Sequence, residues 1–195
     1  MKMFTKSLIA LSAGSLLAAG ANAFDVTATV SSTISVTETV AFSLGTVYAT
    51  SADVTNDTSE TAGTITISPA GVVSTSDGTA ATGDGANAAG HVSKFVALGG
   101  QQAGTVSVSG AAAFGTVTVD SSATPVDLSH SSGSPSIPDI VFTTLTTSPA
   151  DGNTLSLDAS GAGDILVGGT FTAADSTSQY SDGVYTGTYD VTVSY

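Results

Sequence analysis

The chain has 195 residues, a formal net charge of −13, and three Lys or Arg against sixteen Asp or Glu. So few cations exclude nucleic acid, which is held by neutralising phosphates with Lys and Arg, and they argue against anionic membrane surfaces too. Cysteine is absent, so no disulfide holds the fold together.

In chain order, Lys2 and Lys6 come first, then the apolar run SLIALSAGSLLAAG and the small-x-small triplet Ala21–Ala23. This is the layout of an export signal, and cleavage is expected between Ala23 and Phe24. The run is shorter than the roughly 20 apolar residues that span a bilayer, so no membrane insertion is expected after cleavage. The chain beyond residue 23 keeps all sixteen acidic residues and a single cation, Lys94. It is long enough for one hydrophobic core and too short for two comfortable domains. Residues 24–31 read as an N-terminal extension, and 32–195 as a single domain.

The body is rich in Thr, Ser, Val, Ala and Gly and poor in charged helix formers. Thr and Val favour the pleated, half-buried surface of a sheet. Residues 24–36 alternate, with Phe24, Val26, Ala28, Val30, Ile34 and Val36 on one face. Val40, Phe42 and Leu44 continue in phase up to Gly45. Further strands are expected at 63–69, 91–98, 104–110, 115–120, 139–147, 153–159 and 164–173. Residues 183–195 alternate most cleanly, with Tyr185, Gly187, Tyr189, Val191, Val193 and Tyr195 on one face. Turn residues separate these segments, as in SPAG, SPADGN and SDG. Many short strands with regular breaks imply an all-β, immunoglobulin-like β-sandwich. Residues 74–91 and 121–138 carry no apolar pattern and read as loops.

Catalytic chemistry has little to work with. The histidines, His91 and His130, fall in loop-like stretches, and no nucleophile elbow occurs. The glycine-rich GGQQAG (99–104) is not followed by a helix pattern, so it reads as a turn rather than a phosphate cradle. Asp77, Asp84 and Asn87 could offer oxygens to calcium, but their spacing fits neither an EF-hand nor a calcium-binding repeat. They read as a solvated loop. Neither an enzyme nor a cofactor or metal is expected.

The terminal strand suggests a different use. When an immunoglobulin-like sandwich lacks one strand, a groove with unpaired backbone is left beside the last one, and a strand from another molecule can fill it. Phe24, Val26, Ala28 and Val30 form a candidate donor strand. Burying three large apolar side chains would contribute about 4–9 kcal/mol before ordering costs. Such bonding runs head to tail and makes a fibre rather than a closed ring. The competing reading places Phe24–Val30 as an ordinary edge strand of its own domain.

Two blocks carry a family resemblance. VAFSLGTVYAT…TAGTITISPAG resembles the opening of the DUF4402 family, and DILVGGTFTA…GVYTGTYDVTVSY resembles its closing motif. The family is similar to pilin and spore-coat-U-type bacterial surface proteins. The resemblance implies a fibre subunit that binds other copies of itself, exported through the periplasm to the cell surface by a periplasmic chaperone and an outer-membrane usher. It also implies that Tyr185, Gly187, Tyr189, Val191, Val193 and Tyr195 contact the chaperone, with the Tyr195 carboxylate as anchor. Typical pilins carry a Tyr next to last, whereas here it is last. The alternative function is a secreted adhesin or matrix protein that binds carbohydrate or a cell surface, although no aromatic platform is evident in the sequence.

Overall fold

A computed structural model describes residues 33–52, 61–79 and 92–195. The expected cleavage site at Ala23 and Phe24, the candidate donor residues Phe24, Val26, Ala28 and Val30, and the loop residues Asp84, Asn87 and His91 lie outside them. The described strands all belong to one compact unit, Ser32–Tyr195.

The described residues form strands and no helix, and the paired strands run antiparallel. In chain order the strands are β1 (Ser35–Val40), β2 (Thr46–Thr50), β3 (Thr64–Ile67), β4 (Val73–Ser76), β5 (Lys94–Gly99), β6 (Gly104–Ser109) and β7 (Thr116–Asp120). Then follow β8 (Ser129–His130), β9 (Val141–Ser148), β10 (Thr154–Ser156), β11 (Gly163–Thr172), β12 (Tyr185–Thr186) and β13 (Thr192–Ser194).

The long strand β11 organises the largest sheet. Its first half pairs with β6 and its second half with β3, while β9 pairs with β11 from Leu166 to Thr172. β1 flanks β6, and β4 flanks β3. Gly168 and Gly169 sit mid-strand because the space there is already filled. A Cβ on Gly168 would come within 2.3 Å of the Ile67 carbonyl, and one on Gly169 within 2.5 Å of the Phe142 ring. A second sheet runs β10-β7-β13, and β2–β5 and β8–β12 form two-stranded ribbons.

Two apolar clusters make the core. Val106, Val108, Ile165 and Val167 of the first sheet meet Val117, Val119 and Leu155 of the second. Their alternation is why TVSV, TVTV and DILV are strands: each buries every second residue against the facing sheet. The other cluster holds Leu44, Ile65, Ile67, Phe95, Ile140, Phe142 and Phe171. Phe42 touches both clusters. Its ring stacks on Phe171 at 5.7 Å and lies 5.9 Å from Phe142.

Three strands fall where none was expected. β2 lies beyond Gly45, whose φ of +67° turns the chain without ending the run, so pairing resumes at once. β4 is exposed at every position, so no buried–polar alternation marks it. β8 is two residues long and reads as loop by composition. Conversely, Val40–Leu44 is not a continuous strand: β1 stops at Val40, and between it and β2 only Ser43 is paired, with Gln102. The closing segment 183–195 is split, with ladder pairing only at β12 and β13.

Replacing Phe42 with Ala is expected to lower unfolding free energy by about 3 kcal/mol, because it empties the contact between the two clusters. Val72→Ala, at a largely exposed position, should stay within about 0.5 kcal/mol of the parent in the same denaturant titration. Equal effects of the two would contradict this role for Phe42.

Candidate functional site

The first and last parts of the described chain run side by side, and each is paired on one edge. From Ser35 to Thr50, the pairing partners are residues 94–109: β1 with β6, Ser43 with Gln102, and β2 with β5. From Val184 to Ser194, the partners are residues 118–131. Ser131 N–H donates to the Val184 carbonyl, β12 pairs with β8, Val126 N–H donates to the Thr188 carbonyl, and β13 pairs with β7. Among the described residues, no backbone hydrogen bond joins these two segments to each other. Among the described residues, each therefore leaves its second edge, on the trench side, without a backbone partner.

The trench has a deep part and a shallow part. The deep part is a chamber of about 680 Å³. Phe42, Phe142 and Phe171 form its floor, and residues 43–49 and 180–187 its walls. The shallow part is about 330 Å³ and lies between Val36, Glu38 and Val106 on one side and residues 187–191 on the other. Gly187 and Tyr189 line both. Phe142 and Phe171 are buried and Phe42 is half-buried, so the chamber ends on the packed core, and an apolar-lined cleft of this kind is where a ligand or partner segment usually binds.

Tyrosines organise the walls. The Tyr180 hydroxyl accepts from Ala174 N–H at 2.7 Å, and its ring meets Tyr185 edge-on at 6.0 Å. Tyr185 binds back to Ser181, donating to its carbonyl at 3.0 Å, and its ring meets His130 edge-on at 5.0 Å. His130 is itself held by Ser132 Oγ and the Asp182 carbonyl, which makes it a wall support for Tyr185. The Tyr189 hydroxyl spans the trench and donates to Glu38 Oε1 at 2.5 Å. The Phe42 N–H also donates to Glu38 Oε1, at 3.2 Å.

Of the residues singled out from sequence, Tyr185, Tyr189, Val191 and Val193 are half-buried and pack on the core from the trench side. Gly187 lies close over the Val126 carbonyl, where a Cβ would come within 2.4 Å, so the segment needs Gly at that point. Tyr195 is exposed, and its hydroxyl accepts from Ala112 N–H at 3.2 Å. Sequence reasoning missed Phe42, Glu38, Tyr48 and Tyr180 as trench residues. The signal for Phe42 was present in its phase with Val40 and Leu44, but that pattern reads as core rather than as core left uncovered. Asp77 is exposed. Among the described residues, no group of three His, Asp or Glu side chains could hold a metal ion.

Burial raises the Tyr180 pKa to about 12. Burial, followed by the Glu38 hydrogen bond and charge, raises that of Tyr189 further. A pKa raised on folding contributes stability that is intact below the ordinary phenol value near 10 and is lost as pH rises through the folded value. Spectrophotometric titration should therefore show Tyr180 ionising near pH 12 with Tyr189 beyond it, and stability falling from about pH 10 upward. Tyr189→Phe should remove the last phase. Uniform ionisation of every tyrosine near pH 10 would contradict this packing.

A family profile, that of a domain of unknown function, DUF4402, matches residues 34–195. No curated protein matches the chain, and no solved structure does.

Proposed function

The chain belongs to the DUF4402 family, and on that premise we propose that it is the subunit of an extracellular, fimbria-like fibre assembled by strand donation. The observation that carries this reading is the pair of backbone edges, unpaired among the described residues, on the two sides of an apolar trench. A strand inserted there would hydrogen-bond to both edges, and its inward side chains would cover the phenylalanine floor.

The occupant we infer is residues Phe24–Val30 of a second copy. Phe24, Val26, Ala28 and Val30 project to one face of an extended strand, as the trench requires. The segment is nearly free of charge, carrying only Asp25. That matters because Glu38, Asp182 and Asp190 already line the trench and would repel an acidic strand. Filling the trench would complete an immunoglobulin-like sandwich. It would also place Tyr185, Tyr189, Val191 and Val193 on the strand bordering the donor, the surface on which a periplasmic chaperone would act before an outer-membrane usher exports the subunit. A fibre subunit needs no catalytic site or cofactor.

A second reading has one observation in its favour. Tyr48, Tyr180 and Tyr185 converge on the chamber with Ser181 and Asp182, giving the aromatic and polar lining that an adhesin would need to hold a sugar.

Deleting Phe24–Val30 from the exported protein should leave a folded monomer that forms no fibres under electron microscopy, while the full chain polymerises. Val26→Asp should cut polymer yield at least tenfold with secretion unchanged. Fibres from the deletion variant would sink the assignment of this donor. Tight glycan binding by the monomer, with no polymer from the full chain, would favour the adhesin.

A further inference from the structure

Two exposed apolar features lie toward opposite ends of the Ser35–Thr50 run, one beyond Ser109, which pairs with Ser35, and one at Tyr48, which pairs with Val96. The first is the outer face of the β2–β5 ribbon. Tyr48 pairs with Val96, and Leu98 lies just beyond it, at the register shift between the Val47–Ala97 and Thr46–Gly99 pairs. Tyr48 is 53 % exposed, Val96 40 % and Leu98 62 %. Lys94, the only Lys or Arg among the described residues, places its Nζ 6.0 Å from the Tyr48 ring centre. Tyr48 also lines the deep chamber, so this patch continues the trench wall.

The second feature is the loop Ala111–Phe114. Phe114 is 77 % exposed and is held at a φ of +56°, a backbone conformation that bulky residues rarely adopt. The loop is tied down rather than loose. Phe114 N–H donates to the Asp158 carbonyl at 2.8 Å, Gly115 N–H to Ala112, and Ala112 N–H to the Tyr195 hydroxyl. It sits beside the start of β1, where a Cβ on Gly110 would come within 2.3 Å of the Thr33 carbonyl. The Asp158 carboxylate next to it is oriented by Ser160 and Ala162.

We propose that the Phe114 loop of each copy docks on the Tyr48–Val96–Leu98 face of the copy it donates its strand to, with Lys94 meeting the acidic rim at Asp158. This rests on the strand-donation reading and adds to it a body-to-body contact and a direction. Val30 and Ser35 are five residue steps apart, at most roughly 17 Å, so the donor's body must lie close to the end of the trench that its strand leaves. The Phe114 loop lies beside Thr33, where the described chain begins, and the ribbon lies at the other end of the Ser35–Thr50 run. Matching them makes the donor run parallel to β1 and antiparallel to the Tyr185–Ser194 segment. The contact is heterologous, joining two different patches, and so continues the fibre without closing it. Charge favours the same pairing. Every copy is strongly acidic, and Lys94 is the one cation on the described surface that a second copy's carboxylates can approach.

The absence of native cysteine makes disulfide mapping direct. Fibres of the full chain carrying both Phe114→Cys and Leu98→Cys should, on mild oxidation, run as a covalent ladder on a non-reducing gel. Fibres carrying either change alone should run as monomers. Both sites are exposed, and a native circular dichroism spectrum and normal fibre yield will show that the variants fold. Fibres of the double variant without a ladder would overturn the docking contact and leave strand donation standing. Dimers from Phe114→Cys alone would mean that the donor runs in the opposite direction, which also overturns it. If the unaltered chain forms no fibres, strand donation fails and this contact fails with it.

Discussion

The fold turns on an uneven pairing of backbone. A strand has two rows of N–H and C=O groups, and in a closed sheet interior both are used. Among the described residues, the segments Ser35–Thr50 and Val184–Ser194 each pair along one row, with the other on the side of a trench whose floor is Phe42, Phe142 and Phe171. Exposed strand edges are a hazard that folded proteins ordinarily blunt with charges, bulges or covering loops. The blunting here is slight. A register shift lies between Glu38 and Val40, and the Glu38 carboxylate reaches the opposite wall through Tyr189. That hydrogen bond and the edge-on contact of the Phe42 and Tyr189 rings at 6.1 Å cross the trench without pairing either backbone edge. An edge kept free over an apolar floor is what a polymer that grows by strand addition requires.

Composition fits this demand. A chain that exposes strand edges needs protection from indiscriminate aggregation, and strong net negative charge supplies it through mutual repulsion. In the fibre we propose, the same repulsion must be overcome at the contact between copies. The candidate donor strand is almost uncharged, and the body contact we propose places the sole described cation against a carboxylate. Specificity then arises from where the acidity is interrupted.

Much of the fold was legible from period-two alternation. TVSV, TVTV and DILV each bury every second residue, and each is a strand close to its expected bounds. The pattern gave out where burial gave out. β4 is exposed throughout and β8 is too short to show a period, so neither left a readable trace. Tyr185, Tyr189, Val191 and Val193 were legible as one face of a terminal strand, and they line or border the trench. Phe42 and Glu38 were not legible as trench residues. Alternation says which side of a strand faces the core, but it says nothing about whether another strand covers that core. Nor could it reveal that Phe114 and Leu98 lie at opposite ends, since that depends on how β1 and the loop after β6 come together in space.

Amide hydrogen exchange, followed by mass spectrometry on the monomer and on the assembled fibre, tests the central claim most directly. Peptides covering residues 35–41 and 187–191 should exchange quickly in the monomer and slow by at least a hundredfold in the fibre, while the buried β6 and β11 amides change little. Unchanged exchange at both trench walls on assembly would contradict the account, as would walls already fully protected in the monomer.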